Sequence, residues 1–193
     1  MPGRVIIVHG TGGSPEGNWF PWLATTLTEW GSEVLRPELP TPQGQELESW
    51  LSAFRQRVGT LLESDILVGH SIGAAFVLRV LEQSPVFLRA AILVAPFCRS
   101  LDIPAFDALN QSFIAAPFRW GRIRKGARQL FLFAGSNDPY VPLAFSEDVA
   151  GALEVPLQIV PGGGHLNAES GYLEFPELLK LFEKLIDRRS PPR

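Results

Sequence analysis

The chain has 193 residues, 46% of them hydrophobic and 19% charged, with a formal net charge of −3. That length suits one domain with a sizeable core, and the apolar content excludes a disordered chain. The weak net charge, with no basic stripe, excludes a nucleic-acid partner, and no apolar run approaches the 18 or so residues that a membrane span requires.

Apolar, β-branched runs alternate with amphipathic segments all along the chain. Residues 4–8 form a continuous hydrophobic run, as in a strand covered on both faces, and His9-Gly10-Thr11-Gly12-Gly13-Ser14 breaks it. A short helix is expected over residues 22–30, stopped by Gly31, then a brief strand over 33–36 ended by Pro37. After the loop 40–44, Leu47, Trp50, Leu51, Phe54, Val58, Leu61 and Leu62 follow the three-and-four spacing of one apolar helical stripe. A third strand runs into Gly69-His70-Ser71-Ile72-Gly73 and on into a helix with Phe76, Val77, Val80 and Leu81 on its buried side. Further strands are expected at 90–95, 129–134 and 156–160. A last helix from Pro176 carries Leu178, Leu181, Phe182, Leu185 and Ile186 on one side.

Two readings are open for residues 97–128. Phe106, Leu109, Phe113, Phe118 and Trp120 form either a small flap over a site or a crossover helix packed on the sheet, and their helical spacing favours the helix. The alternation as a whole implies a single α/β domain at residues 1–188, with a tail at 189–193 that frays. Its centre is a doubly wound, mostly parallel six-stranded sheet with helices on both faces and no large lid. Such sheets bind ligands outside the carboxyl ends of their strands, so catalytic groups should fall just after strands.

Gly-x-Ser-x-Gly between a strand and a helix pushes its serine hydroxyl out at the sheet edge, which makes Ser71 the candidate nucleophile. The pentapeptide alone recurs by accident in roughly one chain in fifteen of this length, so its strand–helix setting carries the weight. Gly69 and Gly73 are expected to be glycine because strand and helix crowd together there. Of the three histidines, His70 adjoins the serine and should point away from it. His9 should orient its loop through backbone hydrogen bonds. His165 follows the sixth strand after Gly162-Gly163-Gly164, which can bring its imidazole over the sheet edge. Asp138 follows the fifth strand, before Pro139, in a position that also suits a turn initiator. The chain order Ser71, Asp138, His165 is that of α/β-hydrolases. His165 then acts as general base and acid, and Asp138 orients it.

The backbone N–H of Ile72 and that of Thr11, with Gly12 as second choice, are the candidate oxyanion donors. Trp19, Phe97, Tyr140 and Leu166 are the candidates for the substrate pocket. No cofactor is expected. The scattered histidines give no metal-ligand spacing, and Gly10-Thr11-Gly12-Gly13 lacks the Gly-Lys-Ser/Thr of a nucleotide loop. The single Cys98 excludes an internal disulfide and reads as a partly buried small residue. With no leader expected at the amino end, the compartment is read as cytoplasmic. The sparse cluster Arg119, Arg122, Arg124, Lys125 and Arg128 reads as a solvated face.

The chain resembles the small serine hydrolases related to retinoblastoma-binding protein nine and the bacterial YdeN proteins. The matching pieces are Val8-His9-Gly10-Thr11-Gly12-Gly13, Trp19, Pro37-Glu38-Leu39-Pro40, Gly69-His70-Ser71-Ile72-Gly73, Asn137-Asp138-Pro139-Tyr140-Val141-Pro142 and the run 163–171 around His165. That resemblance implies a compact α/β-hydrolase acting on small esters or amides, with Ser71, Asp138 and His165 as its triad. The reading of a different class is a binding or scaffold protein that keeps a hydrolase fold with weak or vestigial activity. A protein partner is not legible.

Overall fold

In the computed structural model, which describes residues 3–186, six strands alternate with helices. They are β1 (Val5–Val8), α1 (Phe20–Glu29), β2 (Val34–Leu35), α2 (Leu47–Val58), β3 (Ile66–His70), α3 (Ile72–Gln83) and β4 (Ala90–Val94). Then come α4 (Pro104–Ile114), α5 (Trp120–Ile123), β5 (Leu130–Gly135), α6 (Leu143–Leu153), β6 (Leu157–Val160) and α7 (Pro176–Leu185). The expected tail at 189–193 lies outside the described residues.

The strands form one sheet in the order β2-β1-β3-β4-β5-β6, and every pairing is parallel. The chain leaves β1 for β2 on one side and returns across it to β3, so β1 and β3 flank the switch point where such sheets bind ligands. Because strand side chains alternate, each strand feeds two cores. Val5, Ile7, Val68, Ile92 and Val94 meet Phe20 and Leu23 of α1 and Leu178 and Phe182 of α7. Ile6, Val8, Leu67, Leu93 and Leu132 meet Trp50 and Phe54 of α2, Phe76 of α3 and Phe113 of α4 on the other face.

Two helices depart from expectation. Helix α1 starts at Phe20 rather than residue 22, because Pro21 in its first turn presets a helical φ. Helix α2 ends at Val58: Gly59, with φ 72°, closes it. The apolar stripe therefore stops there, and Leu62 is 49% exposed. Between β4 and β5 the chain builds α4 and α5, and α4 buries Phe113 and Asn110. Phe113 stacks edge-on against Trp50 and Phe76, so α4 is a packed crossover helix as its spacing implies.

Helix α3 carries a buried ion pair that the hydrophobic pattern hides. Arg79 Nη1 meets Glu82 Oε2 at 3.0 Å with both side chains 5% exposed. Arg79 Nε donates to the Phe113 carbonyl at 2.9 Å, and its guanidinium lies 3.7 Å from the Phe118 ring centre. The pair thus ties the crossover segment to the central helix. In the cationic cluster, Arg124 meets Glu154 at 3.1 Å, and Arg119 and Arg128 meet Glu82 and Glu63.

Candidate active site

Ser71 sits at the tip of the β3–α3 turn with φ 58° and ψ −125°, a backbone region that side chains rarely enter. The turn is held by crowding. A Cβ on Gly69 would stand 2.3 Å from the Gly73 carbonyl oxygen, and one on Gly73 would stand 2.4 Å from that of His9. The Ser71 N–H donates to the Val94 carbonyl at 2.9 Å, which fixes the turn to the end of β4. Ile72 is the first residue of α3, so its N–H has no partner within the helix.

The loops after β5 and β6 bring Asp138 and His165 together. Asp138 Oδ2 lies 2.7 Å from His165 Nδ1, and both side chains are buried. The other oxygen, Oδ1, accepts the N–H groups of Tyr140 at 2.8 Å and Val141 at 3.0 Å. Asp138 therefore turns its own loop with one oxygen and faces the imidazole with the other. With Nδ1–H directed at a carboxylate, Nε2 is left as the acceptor.

The loop that carries His165 is clasped from several sides. Gly162 and Gly164 take φ of 68° and 54°, and the Gly164 N–H donates to Asn137 Oδ1 at 2.8 Å. The His165 N–H donates to Ser170 Oγ at 3.1 Å, and the Ser170 N–H donates to Asn167 Oδ1 at 3.1 Å. Trp19 Nε1 donates to the Leu166 carbonyl at 3.0 Å. These bonds give the run Gly164-His165-Leu166-Asn167-Ala168-Glu169-Ser170-Gly171 its physical meaning: its polar side chains hold the imidazole's backbone in place.

His70 and His9 take supporting places. His70 is buried and donates Nε2–H to the His165 carbonyl at 2.9 Å. Burial pushes its pKa down to about 3, with the neighbouring His165 adding to the effect, so it is neutral, and its Nε2–H is committed to the His165 backbone. His9 Nε2 accepts the Leu39 N–H at 3.1 Å, which leaves Nδ1–H to donate to the Gly10 carbonyl at 2.9 Å. Burial lowers its pKa as well. The Cys98 thiol is half-buried, and burial raises its pKa, as for an inert packing residue.

The loop after β1 passes directly over the serine. A Cβ on Gly10 would lie 3.1 Å from Ser71 Cβ. Of the two expected oxyanion donors there, Gly12 is excluded: its N–H is turned outward and donates to Thr41 Oγ1 at 2.7 Å. Thr11 stays on the inner side. Its hydroxyl donates to Asn110 Oδ1 at 2.8 Å and accepts from Gln45 Nε2 at 2.9 Å, joining the loop to α4 and to the approach to α2.

Ser71 and His165 line one cleft of about 170 Å³, together with Thr11, Leu101, Phe106, Asn110, Tyr140, Asn167 and Glu169. No hydrogen bond joins Ser71 to His165 among the described residues, a common condition of such sites before substrate binds. Tyr140 is the one expected pocket residue that reaches this cleft. Its ring stands edge-on to His165, and its hydroxyl donates to Glu169 Oε2 at 2.8 Å. Trp19, Phe97 and Leu166, expected at the pocket, are instead 0% exposed and belong to the two cores. Each adjoins a strand-end loop in sequence, but its apolar side chain turns inward beneath that loop. Leu101, Asn110, Asn167 and Glu169 line the cleft without a signal in the sequence, and Phe106, a candidate for the flap, reaches it from α4. A second cleft, of about 460 Å³, lies at the carboxyl ends of α2 and α3 and is lined by apolar residues such as Leu51, Phe54 and Val80. It sits about 18 Å, the length of α3, from Ser71 and holds no histidine, cysteine or carboxylate. Among the described residues no group of three or more metal-ligating side chains occurs, and no helix is long and apolar enough to cross a membrane.

Known proteins are similar to this chain in sequence and fold. YdeN of Bacillus subtilis (strain 168) is 34% identical over 178 residues, covering 91% of this chain and 92% of that protein. The crystal structure of the B. subtilis ydeN gene product superposes with a TM-score of 0.87 at 32% identity, covering 94% of this chain and 97% of that one. The serine hydrolase RBBP9 of Rattus norvegicus is 26% identical over 188 residues, 96% of each chain. The family model described as serine hydrolase matches residues 5–184, from the first residue of β1 into α7. With the parallel sheet and the serine turn at its switch point already in place, that match settles the family: the chain belongs to the serine hydrolases.

Proposed function

We propose that this chain is an esterase-like serine hydrolase that cleaves small esters or amides through an acyl-enzyme on Ser71. The observation that carries the reading is the 2.7 Å contact of His165 Nδ1 with Asp138, made at the rim of the cleft that Ser71 also lines. In this mechanism Ser71 Oγ attacks the substrate carbonyl while His165 Nε2 takes its proton. Asp138 holds the ring in the required tautomer and stabilises the imidazolium as it forms. The Ile72 and Thr11 N–H groups receive the oxyanion, and loss of one such donor typically raises a barrier by about 3 kcal/mol. His165 then protonates the leaving group, and water releases the acyl group by the same route in reverse.

The cleft, about 170 Å³, suits a short acyl group. A lone thiol fits a cytoplasmic setting. The test is covalent labelling: a fluorophosphonate probe is expected to add to Ser71, located by peptide mass, and not to the Ser71→Ala protein. Folded protein that takes no label at Ser71 would refute the mechanism.

A further inference from the structure

Asn110 of α4 is a polar side chain that the proposed mechanism does not use, 2% exposed and yet lining the cleft of Ser71 and His165. Its orientation follows from a chain of hydrogen bonds anchored on backbone groups. The Gly12 N–H donates to Thr41 Oγ1 at 2.7 Å, and the Thr41 hydroxyl donates to Gln45 Oε1 at 2.6 Å. Gln45 Nε2 then faces the Leu109 carbonyl at 3.3 Å, an acceptor that cannot be exchanged for a donor. The same Nε2 lies 2.9 Å from Asn110 Oδ1, and the Thr11 hydroxyl lies 2.8 Å from it on another side. The Leu109 carbonyl can only accept, so Gln45 Nε2 is the donor side of its amide, and the Asn110 atom that faces it is Oδ1, with Nδ2 turned away from the network. Nδ2 has no partner among the described residues, and the cleft is what it opens on. Nδ2 is not among the sealed, unpaired buried atoms of the described residues, so it meets cleft solvent, and a donor that meets only water is free to exchange it for a ligand oxygen.

We infer that Asn110 Nδ2 is a specificity-determining donor that selects substrates whose acyl part carries an oxygen acceptor beside the scissile carbonyl, as in alkoxy- or hydroxyacetyl esters. The inference rests on the hydrolytic reading above and names its substrate class. A plain alkyl chain of the same size leaves the amide unpaired, which is how a built polar site rejects an isostere.

The experiment compares p-nitrophenyl methoxyacetate with its isostere p-nitrophenyl butyrate, each kcat/KM divided by the ester's own rate with hydroxide. The wild type is expected to favour the methoxyacetate by about three- to tenfold, the worth of one neutral hydrogen bond. Asn110→Leu and Asn110→Asp should both bring that ratio near one. The aspartate keeps an acceptor for Thr11 and Gln45, so it guards against a folding defect in the leucine variant. A wild-type ratio near one, a ratio unchanged in both variants, or an equal loss on both esters would overturn the inference. The last outcome would mark the amide as an oxyanion donor instead.

A second arm needs no turnover. In ¹⁵N-labelled Ser71→Ala protein the Asn110 side-chain amide signals should shift with ethyl methoxyacetate and stay in place with ethyl butyrate. Equal behaviour with the two esters overturns the inference even if no ester is hydrolysed, whereas absent Ser71 labelling would count against the hydrolytic reading alone.

Discussion

A serine held at φ 58° and ψ −125° stores strain, about 1–3 kcal/mol for a backbone of this kind, and the surroundings must enforce it. Gly69 and Gly73 supply that enforcement by letting β3, α3 and the loop after β1 come within contact of one another. Gly73→Ala would drive a methyl group into the His9 carbonyl, since the added atom would stand 2.4 Å away. It should cost about 3 kcal/mol in urea unfolding and disturb the turn that presents Ser71. Asp138→Asn tests the other end of the site. The amide keeps an oxygen for the Tyr140 and Val141 N–H groups but offers His165 the wrong partner, so esterase kcat should fall about 10⁴-fold with the fold intact. The residues of this site that sequence reveals are those whose place is set by a neighbouring strand end: Ser71, Asp138 and His165. Asn110 and Gln45 meet across 65 positions of chain. A single amide on a helix carries no spacing signal, so they became visible only in three dimensions. Trp19 and Leu166 illustrate the reverse case, where nearness in sequence to the histidine loop means support from beneath it rather than contact with the cleft.

At the scale of elements, continuous apolar runs marked the four inner strands β1, β3, β4 and β5, because a parallel sheet covered on both faces needs apolar residues on both, whereas the edge strands β2 and β6 are only partly buried. Helix ends were less legible. The start of α1 depended on Pro21, and the end of α2 on Gly59 taking φ 72°, while the apolar period ran on past it. Helix α4 has two duties, which explains why residues 97–128 gave two readings. Phe113 packs into the core behind Trp50, and Phe106 and Asn110, about two turns and about one turn before the end of the helix, look onto the cleft. The Arg79–Glu82 pair fixes this segment to α3. Arg79→Leu would leave the buried Glu82 carboxylate with only the half-exposed Arg119 as ion partner and release the Phe113 and Pro117 carbonyls. A loss of about 3–5 kcal/mol in denaturant stability is expected, larger than for a surface arginine such as Arg55.

For the whole molecule, the strand order matters most: the chain doubles back at β1, and the serine turn and the loop of Thr11 emerge side by side there. The same compactness leaves a mark on pH dependence. His70 is buried without a charge, its pKa lowered from 6.5 to about 3 by burial and then by His165. Between those values the unfolded chain binds a proton that the folded chain refuses. Stability from this group is therefore complete above pH 6.5 and declines as the pH falls toward 3. The slope reaches at most about 1.4 kcal/mol per pH unit for one proton. His9 shifts in the same direction and adds to it. Urea midpoints measured from pH 7 to pH 4 should show the decline, and His70→Gln, which keeps a donor for the His165 carbonyl, should flatten it. The central claim is that Ser71 and His165 act as one unit, and the rates of single and double variants on a short p-nitrophenyl ester test it most directly. Ser71→Ala, His165→Ala and the double variant should share nearly the same residual rate, because either loss already disables the pair. Losses that multiply in the double variant, or a Ser71→Ala protein as active as the wild type, would contradict the account.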